Sequence, residues 1–148
     1  MTTEQADGDI VLDALGYRQG ALDRTLGIRV VELSAEHSRA VMPAAGNTQV
    51  SGRVHGGAYA ALAETIASLS AAVHAGPGRI ALGTELAASH VGGTDAGEVH
   101  ADCRALSLGR RLTVHQVELR ADDGSLLSAV RVTNYLTSDR QPAAATPE

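Results

Sequence analysis

Gln49, His55, Gly56, Gly57, Glu64 and Ser68 stand close together in this chain, and their types are those that acyl chemistry uses. The run His55-Gly56-Gly57 leads into the alanine-rich stretch Ala58 to Ser68, which carries one carboxylate, Glu64, in its middle. A glycine pair at a helix start leaves backbone N–H groups free, and free N–H groups suit a developing oxyanion. A partly buried acid further along the same helix could serve as general base or as nucleophile. Taken singly, Glu64 reads equally as a solvated helix residue, His55 as a loop or capping residue, and Ser68 as a small packing residue. The combination is far more specific than any member.

The element that must position these groups is a helix expected from about Gly57 to Val73 and ended by Gly76-Pro77-Gly78. Tyr59, Leu62, Ile66, Leu69 and Val73 follow 3-4 spacing and form one apolar stripe. Glu64 and Ser68 share another face with the small residues Ala60, Ala61, Ala67 and Ala71. The expectation is that the stripe meets a sheet and the small-residue face meets a second subunit. Gly56 and Glu64 are separated by roughly 12 Å along a helix rising about 1.5 Å per residue. One reacting carbonyl needs both partners within about 3 Å, so one chain cannot supply both. Two such helices lying antiparallel across a two-fold axis would build two identical shared sites.

Around this helix, Ile28 to Leu33 and Ser38 to Met42 read as strands about a polar turn, and Pro43 to Val54 as a long loop. Ile80 to His90, Val99 to Ala105, Leu112 to Arg120 and Leu126 to Leu136 alternate as strands. Asp122-Asp123-Gly124 marks a hairpin. A short helix is expected over Asp9 to Gly16. The order β-β-α-β-β-β-β, with a meander after one long helix, is an α+β layer architecture. The domain is placed at 26–137, with an N-terminal tail and short helix at 1–25 and a flexible C-terminal tail at 138–148.

Composition narrows the function. Phe, Trp and Lys are absent and the net charge is −5. Schiff-base chemistry through lysine is therefore excluded, and neither nucleic acid nor an anionic membrane is expected as partner. The lone Cys103 fits a reducing cytoplasm. No apolar leader and no run long enough to span a membrane is read. The six histidines show no ligand spacing, so no metal is expected.

The pattern Gln49-x5-His55-Gly56-Gly57-x6-Glu64-x3-Ser68 resembles the hotdog-fold acyl-CoA thioesterases. It is closest to the branch of Arthrobacter-type 4-hydroxybenzoyl-CoA and 1,4-dihydroxy-2-naphthoyl-CoA thioesterases. The similarity runs from about Leu26 to Leu136, through Leu26-Gly27-Ile28-Arg29, Ala40 to Pro43, Ala88 to Val91, Leu106 to Arg111 and Asp123-Gly124. The resemblance implies a hotdog fold, one long central helix wrapped by an antiparallel sheet. It implies Glu64 as nucleophile or base, the Gly56 N–H as oxyanion donor, and Gln49 and His55 as positioning groups. Ser68 would bond to the acid or to water. Coenzyme A contacts would fall on Gly83, on His90, Val91, Gly92 and Gly93, and on Ser107, Leu108, Gly109, Arg110 and Arg111. The Gly92-Gly93 turn could offer backbone N–H groups, and the two arginines charged donors for phosphate. No cofactor is implied, coenzyme A being part of the substrate, and the unit would be a homodimer or homotetramer.

Gly92 stands where relatives often carry Arg, and aromatic residues common near aryl acyl pockets are missing. A helix Glu in place of Asp separates the chain from the phenylacetyl-CoA branch. Two other readings share the fold: a β-hydroxyacyl-thioester dehydratase, which usually has Pro-Gly at the helix start, and a non-catalytic acyl-CoA-binding dimer. The substrate implied is an aryl- or medium-chain acyl-CoA or a related acyl carrier thioester; which acyl group, and which of the two carriers, is not legible.

Overall fold

In a computed structural model, residues 16–138 are described. The helix expected over Asp9 to Gly16 lies almost wholly outside them. The elements are helix α1 (Ala21–Leu26), strands β1 (Arg29–Glu32) and β2 (His37–Pro43), helix α2 (Gly56–Ala75), and strands β3 (Ile80–His90), β4 (Glu98–Leu108), β5 (Leu112–Arg120) and β6 (Leu126–Thr137). The six strands form one antiparallel sheet in the order β1-β2-β4-β5-β6-β3, with α2 packed on it. This is the expected α+β hotdog architecture.

The meander needs correction. β4, β5 and β6 follow one another, but β3 pairs with β6, from Ile80↔Thr137 to His90↔Ser128, and β4 joins β2. The segment after β3 therefore crosses the sheet. β3 is left as an edge strand of 11 residues, with most of its side chains exposed.

The sheet holds α2 by an apolar core. Tyr59, Leu62 and Ile66 are fully or almost fully buried, with Met42, Val99, Val117 and Val130 from the strands. Burying each such side chain stabilises the fold by about 1.5–3 kcal/mol. The stripe is displaced from the one expected: Leu69 and Val73 are only half-buried, while Ala63, Ala67, Ser70 and Ala71 reach the core. Ala67 and Ala71 are thus not on the free face. Compact Ala side chains let the helix sit close to the sheet, so the core-facing arc is wider than the large residues mark.

The outer face of α2 narrows to Ala60, Ala61, Glu64, Thr65 and Ser68. The segment carrying α1 lies over it. Thr65 Oγ1 donates to Asp23 Oδ1 at 2.8 Å, and the Gly20 N–H donates to Asp23 Oδ2 at 3.1 Å. Asn47 Nδ2 donates to the Leu26 carbonyl at 2.7 Å and to the Pro43 carbonyl at 2.8 Å, which fixes the other end of α1 to the loop before α2.

Candidate active site

α2 begins at His55, its N-cap, whose Nδ1 accepts the Gly57 N–H at 2.7 Å. The Ala58 and Tyr59 N–H groups both donate to the His55 carbonyl. The Gly56 N–H is left as the amide of the first turn with no partner among the described residues. It lies at the positive end of a 20-residue helix dipole. Gly56 also has to be glycine, because a Cβ there would stand 2.9 Å from the His90 ring. His90 is held by Ser128 Oγ at 2.9 Å from its Nδ1, and its ring lies 5.6 Å from the Tyr59 ring, centroid to centroid.

Gln49 precedes this point in a tight turn. Its N–H donates to the Arg53 carbonyl at 2.8 Å and its carbonyl accepts from Gly52 at 2.9 Å. The turn leaves the Gln49 side chain exposed. Beside it, the Val91 and Gly92 N–H groups both donate to the Leu127 carbonyl, at 2.9 and 3.0 Å. The Gly92 amide is therefore not free for a phosphate, contrary to the expectation for that turn. Gly92 is glycine for a packing reason, since a Cβ would meet the Leu126 carbonyl oxygen at 2.6 Å. Gly93 faces the aliphatic stem of Arg53.

The second station is the middle of α2. The exposed Glu64 carboxylate lies directly over Gly83 of β3, where any side chain would collide with Oε1. Gly83 stands beside a register shift in β3 and is paired with Asn134 of β6. Ser68 Oγ donates to Asn134 Oδ1 at 2.8 Å, where the family resemblance implied a bond to the acid or to water. Asn134 is fully buried, and its Nδ2 has no partner among the described residues. Nothing in the alternation of β6 marks Asn134 as different from its neighbours; only the fold brings it beneath Ser68. A cleft of about 440 Å³ opens beside Glu64 and Ser68, between the α1 segment and α2.

The third station is the Ser107 to Arg111 turn, near the C-terminal end of α2. His74 Nε2 meets the Gly109 carbonyl at 2.9 Å, and the Gly109 N–H donates to the Leu112 carbonyl at 2.9 Å. Arg79, which sequence reasoning passed over, donates to the Arg110 carbonyl at 2.7 Å. The exposed Arg110 and Arg111 side chains meet no carboxylate among the described residues.

Within one chain, then, Gly56 with His55, His90 and Gly93 forms one group, Glu64 with Ser68 and Gly83 a second, and Ser107 to Arg111 a third. They are strung along a helix roughly 30 Å long at about 1.5 Å per residue, and one chain does not bring them to a single point. No helix among the described residues is long and apolar enough to cross a membrane.

Comparison with known proteins agrees with the architecture. The chain is 36% identical over 117 residues to the proofreading thioesterase EntH of Cronobacter turicensis, a match covering 78% of this chain and 85% of that one. It is 33% identical over 126 residues to the 1,4-dihydroxy-2-naphthoyl-CoA hydrolase of Escherichia coli, covering 84% and 91%. In fold, it matches the crystal structure of a Haemophilus influenzae thioesterase with a TM-score of 0.80 and 24% identity, over 99% of this chain and 97% of that one. Residues 51–128, which hold His55, Gly56, Glu64 and Ser68, match the thioesterase superfamily. The chain belongs to that family and is a thioester hydrolase.

Proposed function

We propose that the protein hydrolyses aryl- or medium-chain acyl-CoA thioesters in the cytoplasm, as a dimer whose sites are shared between two chains. The observation that carries this reading is the unpartnered Gly56 amide at the start of α2 with an exposed Glu64 eight residues further on. Glu64 delivers the attack on the thioester carbonyl, directly or by taking a proton from water, and the partner chain's first-turn amide receives the negative charge on oxygen. His55 and Gln49 orient the thioester or the water. The activity of the Escherichia coli relative on a naphthoyl-CoA supports the substrate class.

The pairing is favoured by β3, whose outer edge has no neighbouring strand in the sheet. Two such edges meeting antiparallel would continue the sheet and carry the two α2 helices past each other. The amide end of each helix then lies beside the middle of the other, and the arginine turn of one chain approaches the Gly56 end of its partner.

Co-expression of two inactive variants tests this. One chain carries Glu64→Ala and the other a change at Gln49 or His55. Shared sites give a heterodimer with one doubly damaged and one intact site, so activity returns toward half of wild type. Sites built within one chain would carry one lesion each, and mixing would restore nothing.

A further inference from the structure

The cleft beside Glu64 is lined, away from the acid, by a residue outside the motif. Along α2 the cleft runs from Ala61 past Glu64 and Ser68 to Ala72, with Ala81 of β3 at the far end. Between Glu64 and Ala72 the helix rises roughly 12 Å at about 1.5 Å per residue. Past Glu64 the walls are Ser68 and the apolar side chains of Leu69, Ala72 and Ala81, while Asp23 and Thr65 line the nearer part. The far end also receives the ring of Tyr17, which comes from the segment leading into α1. The Tyr17 hydroxyl donates to the Arg79 carbonyl at 3.3 Å, a long bond that contributes little to holding the ring. The segment itself is fixed beyond Tyr17 by the Thr65–Asp23 bond. Each Asp23 oxygen accepts a hydrogen bond, from Thr65 and from Gly20, which fixes the carboxylate at the α1 side of the cleft.

We infer that this cleft receives the acyl group and that Tyr17 is its end wall, the residue that sets how long an acyl chain is accepted. The inference rests on the thioesterase reading of Glu64. A carbonyl placed at the Glu64 carboxylate can run its acyl chain over Ser68 and Leu69 toward Ala72, where Tyr17 lines the cleft. Because the floor is built from Ala72 and Ala81, the ring is the largest group limiting length there. Tyr17 acts by volume and touches neither the carbonyl nor the attacking group.

The test compares kcat/KM of wild type, Tyr17→Ala and Tyr17→Phe on straight-chain acyl-CoA esters from butanoyl to dodecanoyl, with benzoyl-CoA as a short rigid reference. Wild type should show a sharp fall beyond one chain length. Tyr17→Ala should move that limit to longer chains, with about a tenfold gain for the first ester beyond it relative to the short esters, the scale expected when two further methylenes find a pocket. Tyr17→Phe keeps the ring and should keep the wild-type limit. An unchanged length profile in Tyr17→Ala, or an equal loss on every ester, overturns the wall. So does a shift in Tyr17→Phe as large as that in Tyr17→Ala, which would assign the effect to the hydroxyl. A wild type that hydrolyses none of the esters fails the proposed acyl-CoA reading itself, and that outcome is separable because it appears before any variant is made. Melting temperatures of both variants identify a loss caused by unfolding, and a folded Tyr17→Leu variant then repeats the comparison with an intermediate volume.

Discussion

The two long faces of α2 are built on opposite rules. The inner face fills space: Tyr59, Leu62 and Ile66 are buried against the strands, and the buried Ser70 donates to Ser38 Oγ at 2.7 Å. The outer face keeps space open with Ala60 and Ala61, and its polar groups are one exposed acid and two hydroxyls held from outside the helix, by Asp23 and by Asn134. On the inner face volume holds the fold together; on the outer face missing volume makes the cleft. The same 20-residue helix therefore presents a packed face and an open, polar face by rotation about its axis.

The sharpest way to break this comparison is to change neighbours on the two faces. Glu64→Gln should lower kcat by about 10²–10⁴-fold, the range for losing a general base, and leave the melting temperature close to wild type. Ile66→Ala should do the reverse, destabilising by about 2–5 kcal/mol through the cavity it leaves, with the remaining folded protein still active. Urea unfolding and steady-state kinetics on both variants suffice. If Glu64→Gln unfolds the protein, or turns over as fast as wild type, the outer face is structural after all.

A smaller effect is expected at the far end of the helix. Removing both Arg110 and Arg111 should raise KM for acyl-CoA while changing little for a pantetheine thioester that lacks the nucleotide. Charge-assisted bonds to phosphate are worth about 1.5–3 kcal/mol each, and exposure of these side chains reduces that through solvent screening. Equal losses on both substrates would detach the turn from the nucleotide.

The smallest effect belongs to the sheet. Burial holds the pKa of His115 below the usual histidine value, despite its bond to the Ala35 carbonyl. The folded state thus keeps this ring neutral where an unfolded chain would bind a proton near pH 6.5. Its contribution to stability is complete above that pH and is lost as pH falls from there toward the folded value. The melting temperature should drop between pH 7.5 and pH 5, and His115→Gln should reduce the drop. An identical drop in the variant would assign the acid sensitivity to other groups.

Most of the elements were legible because their periods are clean. The alternation of Ile80 to His90 gives β3 as it stands in the structure, and the spacing of Tyr59, Leu62 and Ile66 gives α2 to within two residues at its C-terminal end. The neighbour of β3 was not legible, because alternation defines a strand and not its partner. Ala67 and Ala71 were misplaced because Ala fits a tight core contact as well as an open face. α1 was missed because six residues carry too little period, and its docking depends on Asp23 meeting Thr65 across the fold. In the candidate site, the motif marks Gly56 and Glu64 through local backbone and charge alone. Asn134 and Tyr17 come from β6 and the N-terminal segment, and only tertiary structure carries them to the helix.

The place of β3 beside β6 sets an order of assembly. The strand under Glu64 is made just after the helix, yet its one partner in the sheet is β6, the last strand among the described residues, with Ile80 waiting for Thr137. A chain emerging during translation can join β1, β2, β4 and β5 while β3 still lacks a neighbour. Non-local pairings of this kind form late and slowly. Gly83 and Asn134 come together only when β6 pairs with β3, so the floor beneath the acid is completed by β6. A truncated or nascent molecule can hold the motif and still lack the surface on which it would act.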